Sequence, residues 1–280
     1  MTTKNTFSLE LTAPGNNKKS KTSPVPKVGE LTRCVEQIPF QAPPDIVNQF
    51  KGTQTVFAFD IETHDIIREN TRAWLCGHFG FPARVPPSTM KSLRLIQIGW
   101  AMGDIHLDAP TTTSRYVIPD DFEVTAEGAA KHGVTQALVK AHGLPLTEAL
   151  KEFVASAQEA FTRGARLAAH QIEFDAGVIA AELQRCGLQQ ELEFWDKAIR
   201  GGICTMDPLL GNWIRDQIGG VDEQGRSRTG PLGLKDCVRL MVPNSAELRR
   251  QHHTADKDAE MAWLLCKSIV ARCAQTSPCE

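Results

Sequence analysis

The order of elements in this sequence predicts an α/β fold, with one mixed five-stranded sheet flanked by helices. Three observations predict it. Strand-like runs follow one another with short links between residues 93 and 118, after a first run at 56–61. From residue 125 the hydrophobic period lengthens to that of helices. Two further short apolar runs, at 166–170 and 202–207, are each followed by a helical pattern.

Residues 1–50 read as a disordered tail and linker ahead of a single domain at 51–276. Pro14-Gly15-Asn16-Asn17-Lys18-Lys19-Ser20-Lys21 and Pro24-Val25-Pro26 are polar, breaker-rich and aperiodic, a composition that buries too little apolar surface to fold. Lys18, Lys19, Lys21 and Lys27 fit a solvated tail first, and nucleic-acid contact or a nuclear address second, while residues 1–50 as a whole could dock a protein partner. Pro39, Pro43 and Pro44 predict an extended approach to the first strand.

That strand, 56–61, is apolar, β-branched and aromatic, and it runs into Asp60 and Glu62. Residues i and i+2 of a strand share a face, so both carboxylates converge at one mouth of the sheet. Desolvated side by side they repel unless a cation joins them. Oxygen-only donors suit Mg²⁺ or Mn²⁺ rather than Zn²⁺. Taken alone, the pair fits two loop acids at a frayed strand end better.

The irregular stretch 64–92 carries Arg68, Arg72, Trp74, His78, Phe79, Phe81 and Arg84. Its rings either plug the loop onto the core or, with the arginines, clamp a single strand. The second strand is 93–101, and either 105–107 or 114–118 supplies the third, giving an antiparallel meander. Short helices follow at 125–131 and 134–141, broken at Gly133 and Gly143. A longer one at 145–161 sets Leu146, Ala149, Leu150 and Phe153 on one side. The fourth strand, 166–170, leads to a helix at 176–186 stopped by Gly187. After the fifth strand Pro208 opens another helix. A glycine-rich, partly basic loop at 219–230 precedes helices at 232–241 and 255–274.

Composition bounds the function. A chain 41% hydrophobic and 23% charged is an ordinary soluble one, and it holds no apolar run long enough to span a bilayer. The first residues lack the apolar core of a secretory signal, so an intracellular protein, cytoplasmic or nuclear, is expected rather than a secreted one. The eight cysteines contain no C-x-x-C and read as thiols in a reducing compartment, not as a zinc site. A net charge of −2 leaves no global basic footprint, so any phosphate recognition is local or cation-mediated.

Two later segments change the reading of Asp60 and Glu62. Asp175, in His170-Gln171-Ile172-Glu173-Phe174-Asp175, follows the fourth strand near the start of a helix, where it serves equally as a cap or as a third functional acid. His252-His253-Thr254-Ala255-Asp256-Lys257-Asp258 opens the last helix, with Thr254 or Asp256 as its cap and Asp258 in its first turn. Phe59-Asp60-Ile61-Glu62-Thr63, then His170-x-x-x-Phe174-Asp175, then His253-x-Ala255-x-x-Asp258-Ala259, in this order and spacing, resembles the DEDDh (DnaQ-like) 3′→5′ exonuclease superfamily. The segment from Tyr116 through Glu127-Gly128-Ala129-Ala130-Lys131-His132-Gly133-Val134-Thr135, and Ile203-Cys204-Thr205-Met206-Asp207, are similar to that group as well. The resemblance covers residues 54–272.

What the resemblance implies is a ribonuclease H-like fold and a metal-dependent 3′→5′ exonuclease. Asp60, Glu62, Asp175 and Asp258 would hold two divalent cations, Mg²⁺ with Mn²⁺ accepted, and His253, preferred over His252 by its spacing, would be the general base. Ile61, Thr63, His64, His170 and Phe174 would be substrate-binding, the first three at the terminal nucleotide. Gln171, where the group often has Asn, His64-Asp65 and the long loop to Leu93 depart from the usual pattern and touch substrate choice more than chemistry. The expected substrate is single-stranded nucleic acid or a 3′ overhang, RNA slightly ahead of DNA. The rival readings are a metal-dependent endonuclease and a binding or docking module on an exonuclease scaffold.

Overall fold

The computed structural model describes residues 42–66, 92–217 and 232–274. The tail through residue 41, the arginine-aromatic segment at 67–91 and the basic loop at 218–231 lie outside the described residues. In order, the elements are α1 (Pro44–Phe50), β1 (Thr55–Thr63), β2 (Leu95–Asp104), β3 (Thr111–Tyr116), α2 (Ala126–His132), α3 (Gln136–His142), α4 (Leu146–Thr162), β4 (Arg166–Ala169), α5 (Ile172–Arg185), α6 (Gln189–Ala198), β5 (Ile203–Cys204), α7 (Pro208–Gln217), α8 (Leu234–Met241), α9 (Ala246–Arg250) and α10 (Ala255–Ala274).

The five strands form one sheet in the order β3-β2-β1-β4-β5. Its first three are the antiparallel meander, while β4 and β5 run parallel to β1. This is the expected mixed sheet flanked by helices. Central β1 is buried on both faces, and alternation along it divides the core. Phe57, Phe59 and Ile61 meet α4, α5 and α6, where the Phe153 ring lies 5.4–5.9 Å from those of Phe57, Phe59, Trp100 and Trp195. Val56 and Ala58 face the opposite layer of α1, α7, α8 and α10. Asp60 and Glu62 continue this second face.

Several boundaries differ from expectation. The extended segment expected around Pro43 and Pro44 is in fact helix α1, because Pro44 occupies the first turn, where its missing N–H costs nothing. Ile46 and Phe50 bury that helix against α10. Of the two runs offered for the third strand, 114–118 overlaps β3, and 105–107 is turn. Helix α5 starts four residues earlier than read, at Ile172, and so takes in Asp175. The fifth strand keeps only Ile203–Cys204. Helices α6 and α9 had no counterpart in the sequence reading.

Candidate active site

The site forms where the C-terminal end of β1 meets the first turns of α5 and α10. Ligand oxygens of Asp60, Glu62 and Asp258 lie within 4.8 Å of one another. Three features of the β1–β2 ladder bring Asp258 there. Asp60 pairs with Gly99 and Glu62 with Gln97 across the β1–β2 ladder. A Cβ on Gly99 would sit 2.3 Å from the Ala255 carbonyl carbon and 2.4 Å from the Asp256 nitrogen, so only glycine lets the start of α10 rest on the sheet opposite Asp60. The buried Gln97 side chain accepts from the Ala255 amide at 3.4 Å, using one of the N–H groups that a helix leaves unpaired at its start. Gly99 and Gln97 were not singled out in the sequence. A glycine and a buried amide inside an apolar strand were the signals.

Asp175 enters from the other side. It lies in the first turn of α5, is buried, and makes no cap; its Oδ2 has no hydrogen-bond partner. Burial, then the charges of Asp175, Asp258 and Glu62, hold the Asp60 carboxyl well above the usual range, against an opposing pull from Lys131. Burial chiefly pushes Glu62 up to about 7; Lys131 opposes this and Asp258 adds to it. Asp175 is likewise held high, by burial first and then by Glu62. Among the described residues, Lys131 is thus the cation that acts on these acids, from the last turn of α2. It lies in the segment similar to the exonuclease group, but nothing singled it out there, since a lysine at a helix C-terminus already has a reason to be there.

His253 sits in the loop before α10 with φ 73°, in the left-handed region, and its amide donates to Asp258 Oδ1 at 3.2 Å. Burial, then the neighbouring His252, lower its imidazole to about 4, so the ring is neutral at pH 7. His252 Nδ1 lies 2.8 Å from the same Asp258 oxygen. Asp256 lies within α10 rather than at its cap; the Thr254 carbonyl accepts from the Asp258 amide at 2.9 Å.

The five residues expected to bind substrate are engaged within the protein. The Ile61 side chain is in the core. The Thr63 hydroxyl donates to Asp65 O at 2.7 Å, and the Thr63 carbonyl accepts from His132 Nε2 at 3.2 Å. Because His132 Nδ1 accepts the Val134 amide, Nε2 carries the proton. His64 Nδ1 accepts the Arg94 amide at 3.1 Å, and its ring stands edge-on to Phe122. His170 Nε2 donates to Leu232 O, which leaves Nδ1 to accept from the Thr205 hydroxyl. Burial lowers this imidazole to about 4. Phe174 packs, partly buried, on the α4–α6 side of the core.

Neither a scan against family models nor a sequence comparison with characterised proteins finds a match. Comparison of folds does. The chain is similar to E. coli exonuclease I in complex with a dT13 oligonucleotide, with a TM-score of 0.54 and 15% identity, over 80% of this chain and 42% of that one. The complex of the same E. coli enzyme with a dA16 oligonucleotide gives 0.52 and 16% over the same shares. The zinc-ion-bound form of the E. coli enzyme with single-stranded DNA gives 0.52 and 16%, over 79% and 41%. The chain shares the fold of the part of exonuclease I that it matches. It is also the fold that the motif resemblance implied, and this chain spans less than half the length of the exonuclease I chains it matches.

Proposed function

We propose that this chain is a divalent-metal-dependent 3′→5′ exonuclease acting on single-stranded nucleic acid or 3′ overhangs. The observation that carries the reading is the gathering of Asp60, Glu62 and Asp258 within 4.8 Å beside the unpartnered Oδ2 of Asp175. Buried carboxylates opposed, among the described residues, by Lys131 repel one another, and cations relieve that repulsion. An all-oxygen donor set fits a hard cation.

Asp60, Glu62, Asp175 and Asp258 would hold two such cations, Mg²⁺ with Mn²⁺ accepted. What the bound pair supplies is a lowered pKa for water and charge stabilisation on the phosphate and the leaving 3′ oxygen. His253, neutral and at the rim of the cluster, takes the proton of the attacking water. Lys131 draws the scissile phosphate toward the acids. Ile61 and Thr63 meet the terminal nucleotide through backbone groups, because their side chains are committed elsewhere. DNA is the preferred sugar in this reading. The sequence alone leaned to RNA, but a solved structure similar in fold to this chain is a complex with single-stranded DNA.

The test is a panel of 5′-labelled DNA and RNA strands, with free or blocked 3′ ends, in Mg²⁺, Mn²⁺ or EDTA. The expected result is stepwise shortening from free 3′ ends in either metal, faster on DNA, and none in EDTA. Internal cuts in blocked strands would make it an endonuclease instead. Binding without any shortening would make it a docking module.

A further inference from the structure

His252 is the histidine that the motif does not use. In an extended chain, neighbouring side chains leave on opposite sides. The left-handed φ of 73° at His253 breaks that alternation. The His252 and His253 rings consequently lie 3.7 Å apart, tilted by 30°. Donor atoms of His252, His253 and Asp258 lie within 4.8 Å of one another. Both rings also line an open cavity of about 580 Å³ with Lys131, Arg250 and Lys257, so an ion reaches them from solvent.

We infer that His252, His253 and Asp258 form a second cation site, of two nitrogens and one oxygen, that takes Zn²⁺ in preference to Mg²⁺. Imidazole donors select zinc-like ions, and carboxylate-and-water sites select magnesium-like ones. Three protein ligands with a water complete a four-coordinate zinc. Asp258, with two oxygens, belongs to both groups. The proton between His252 Nδ1 and Asp258 Oδ1 departs to Nε2 or to solvent as the ion enters. The two rings, tilted by only 30°, turn apart so that their in-plane lone pairs converge on the ion, and the His252 Nδ1–Asp258 Oδ1 pair opens from 2.8 Å to the roughly 3.3 Å that separates neighbouring ligands of a tetrahedral zinc. Zinc here takes the lone pair of His253. It therefore inhibits the enzyme, a consequence that rests on the hydrolytic reading above, whereas the site itself rests on the side chains alone.

The test uses the full chain and three readouts. In saturating Mg²⁺, Co²⁺ should produce the visible absorption of a four-coordinate ion at one equivalent, displaced by one equivalent of Zn²⁺ and lost in His252→Gln. X-ray absorption of the zinc-loaded wild type, which needs no variant, should show two imidazole rings on the metal. Zn²⁺ should suppress nucleotide release in Mg²⁺, and His252→Gln should require at least about tenfold more Zn²⁺ for the same fractional loss. A wild type without the cobalt band, fewer than two imidazoles on zinc, or a variant that keeps the band overturns the site. If the wild type releases no nucleotide in Mg²⁺, the exonuclease reading fails while the cobalt and absorption results still decide the zinc site.

Discussion

Asp60, Glu62, Asp175, His253 and Asp258 are each readable from motif spacing, but what each can do depends on its neighbours. His253 is separated from the acids in role by its neutral ring. His253→Ala should lower kcat about 10²–10⁴-fold, the usual scale for a lost general base, and should leave Mn²⁺ binding intact in a titration. Full activity in that variant would remove the assignment. Lys131 acts in the other direction, pulling down the pKa of Asp60, Glu62 and Asp175 together. In Lys131→Met the carboxyls hold their protons to higher pH. The acid limb of the pH–rate profile should then move to higher pH. A limb that stays in place would mean that Lys131 is only a surface charge.

Elements decide whether these residues meet, and here the sequence was partly silent. The meander, the parallel pair and α10 follow from period and composition, since their apolar faces are continuous. Helix α6 does not, because its polar face dominates and only Trp195 and Ala198 are buried. Helix α1 was hidden by its prolines, which break a helix interior but favour its first turn. The seat of α10 was hidden for a different reason. Gly99 and Gln97 matter only through a contact with residues more than 150 positions away in the chain. Gly99→Ala forces a Cβ against backbone that cannot swing aside. It should cost about 3 kcal/mol in denaturant unfolding and should abolish hydrolysis by lifting Asp258 from Asp60 and Glu62. An active, fully stable Gly99→Ala protein would show that α10 is not seated as described.

At the scale of the whole molecule, the clustered acids cost stability where they ionise, and the proposed cations would offset that cost. Asp60, Glu62 and Asp175 bind protons more tightly in the folded chain than in the unfolded one. Their contribution to stability is therefore full below the ordinary carboxyl range near pH 4, and it is lost as pH rises through their elevated values, about 7 for Glu62. In EDTA, Tm should fall between pH 5 and pH 8. Mg²⁺ should restore more of it at pH 8, where it no longer competes with protons. Glu62→Gln should raise the Tm of the cation-free protein at pH 8 by about 5 °C and leave it unchanged near pH 4.

The central claim is that four carboxylates from β1, α5 and α10 hold a pair of hard cations. Calorimetric titration of Mn²⁺ into the full chain at pH 8 tests it most directly. Saturation of the carboxylate site at two equivalents, with at least one lost in Asp175→Asn and in Asp258→Asn, is the predicted result. No saturable binding, or the same isotherm in wild type and both variants, would contradict it.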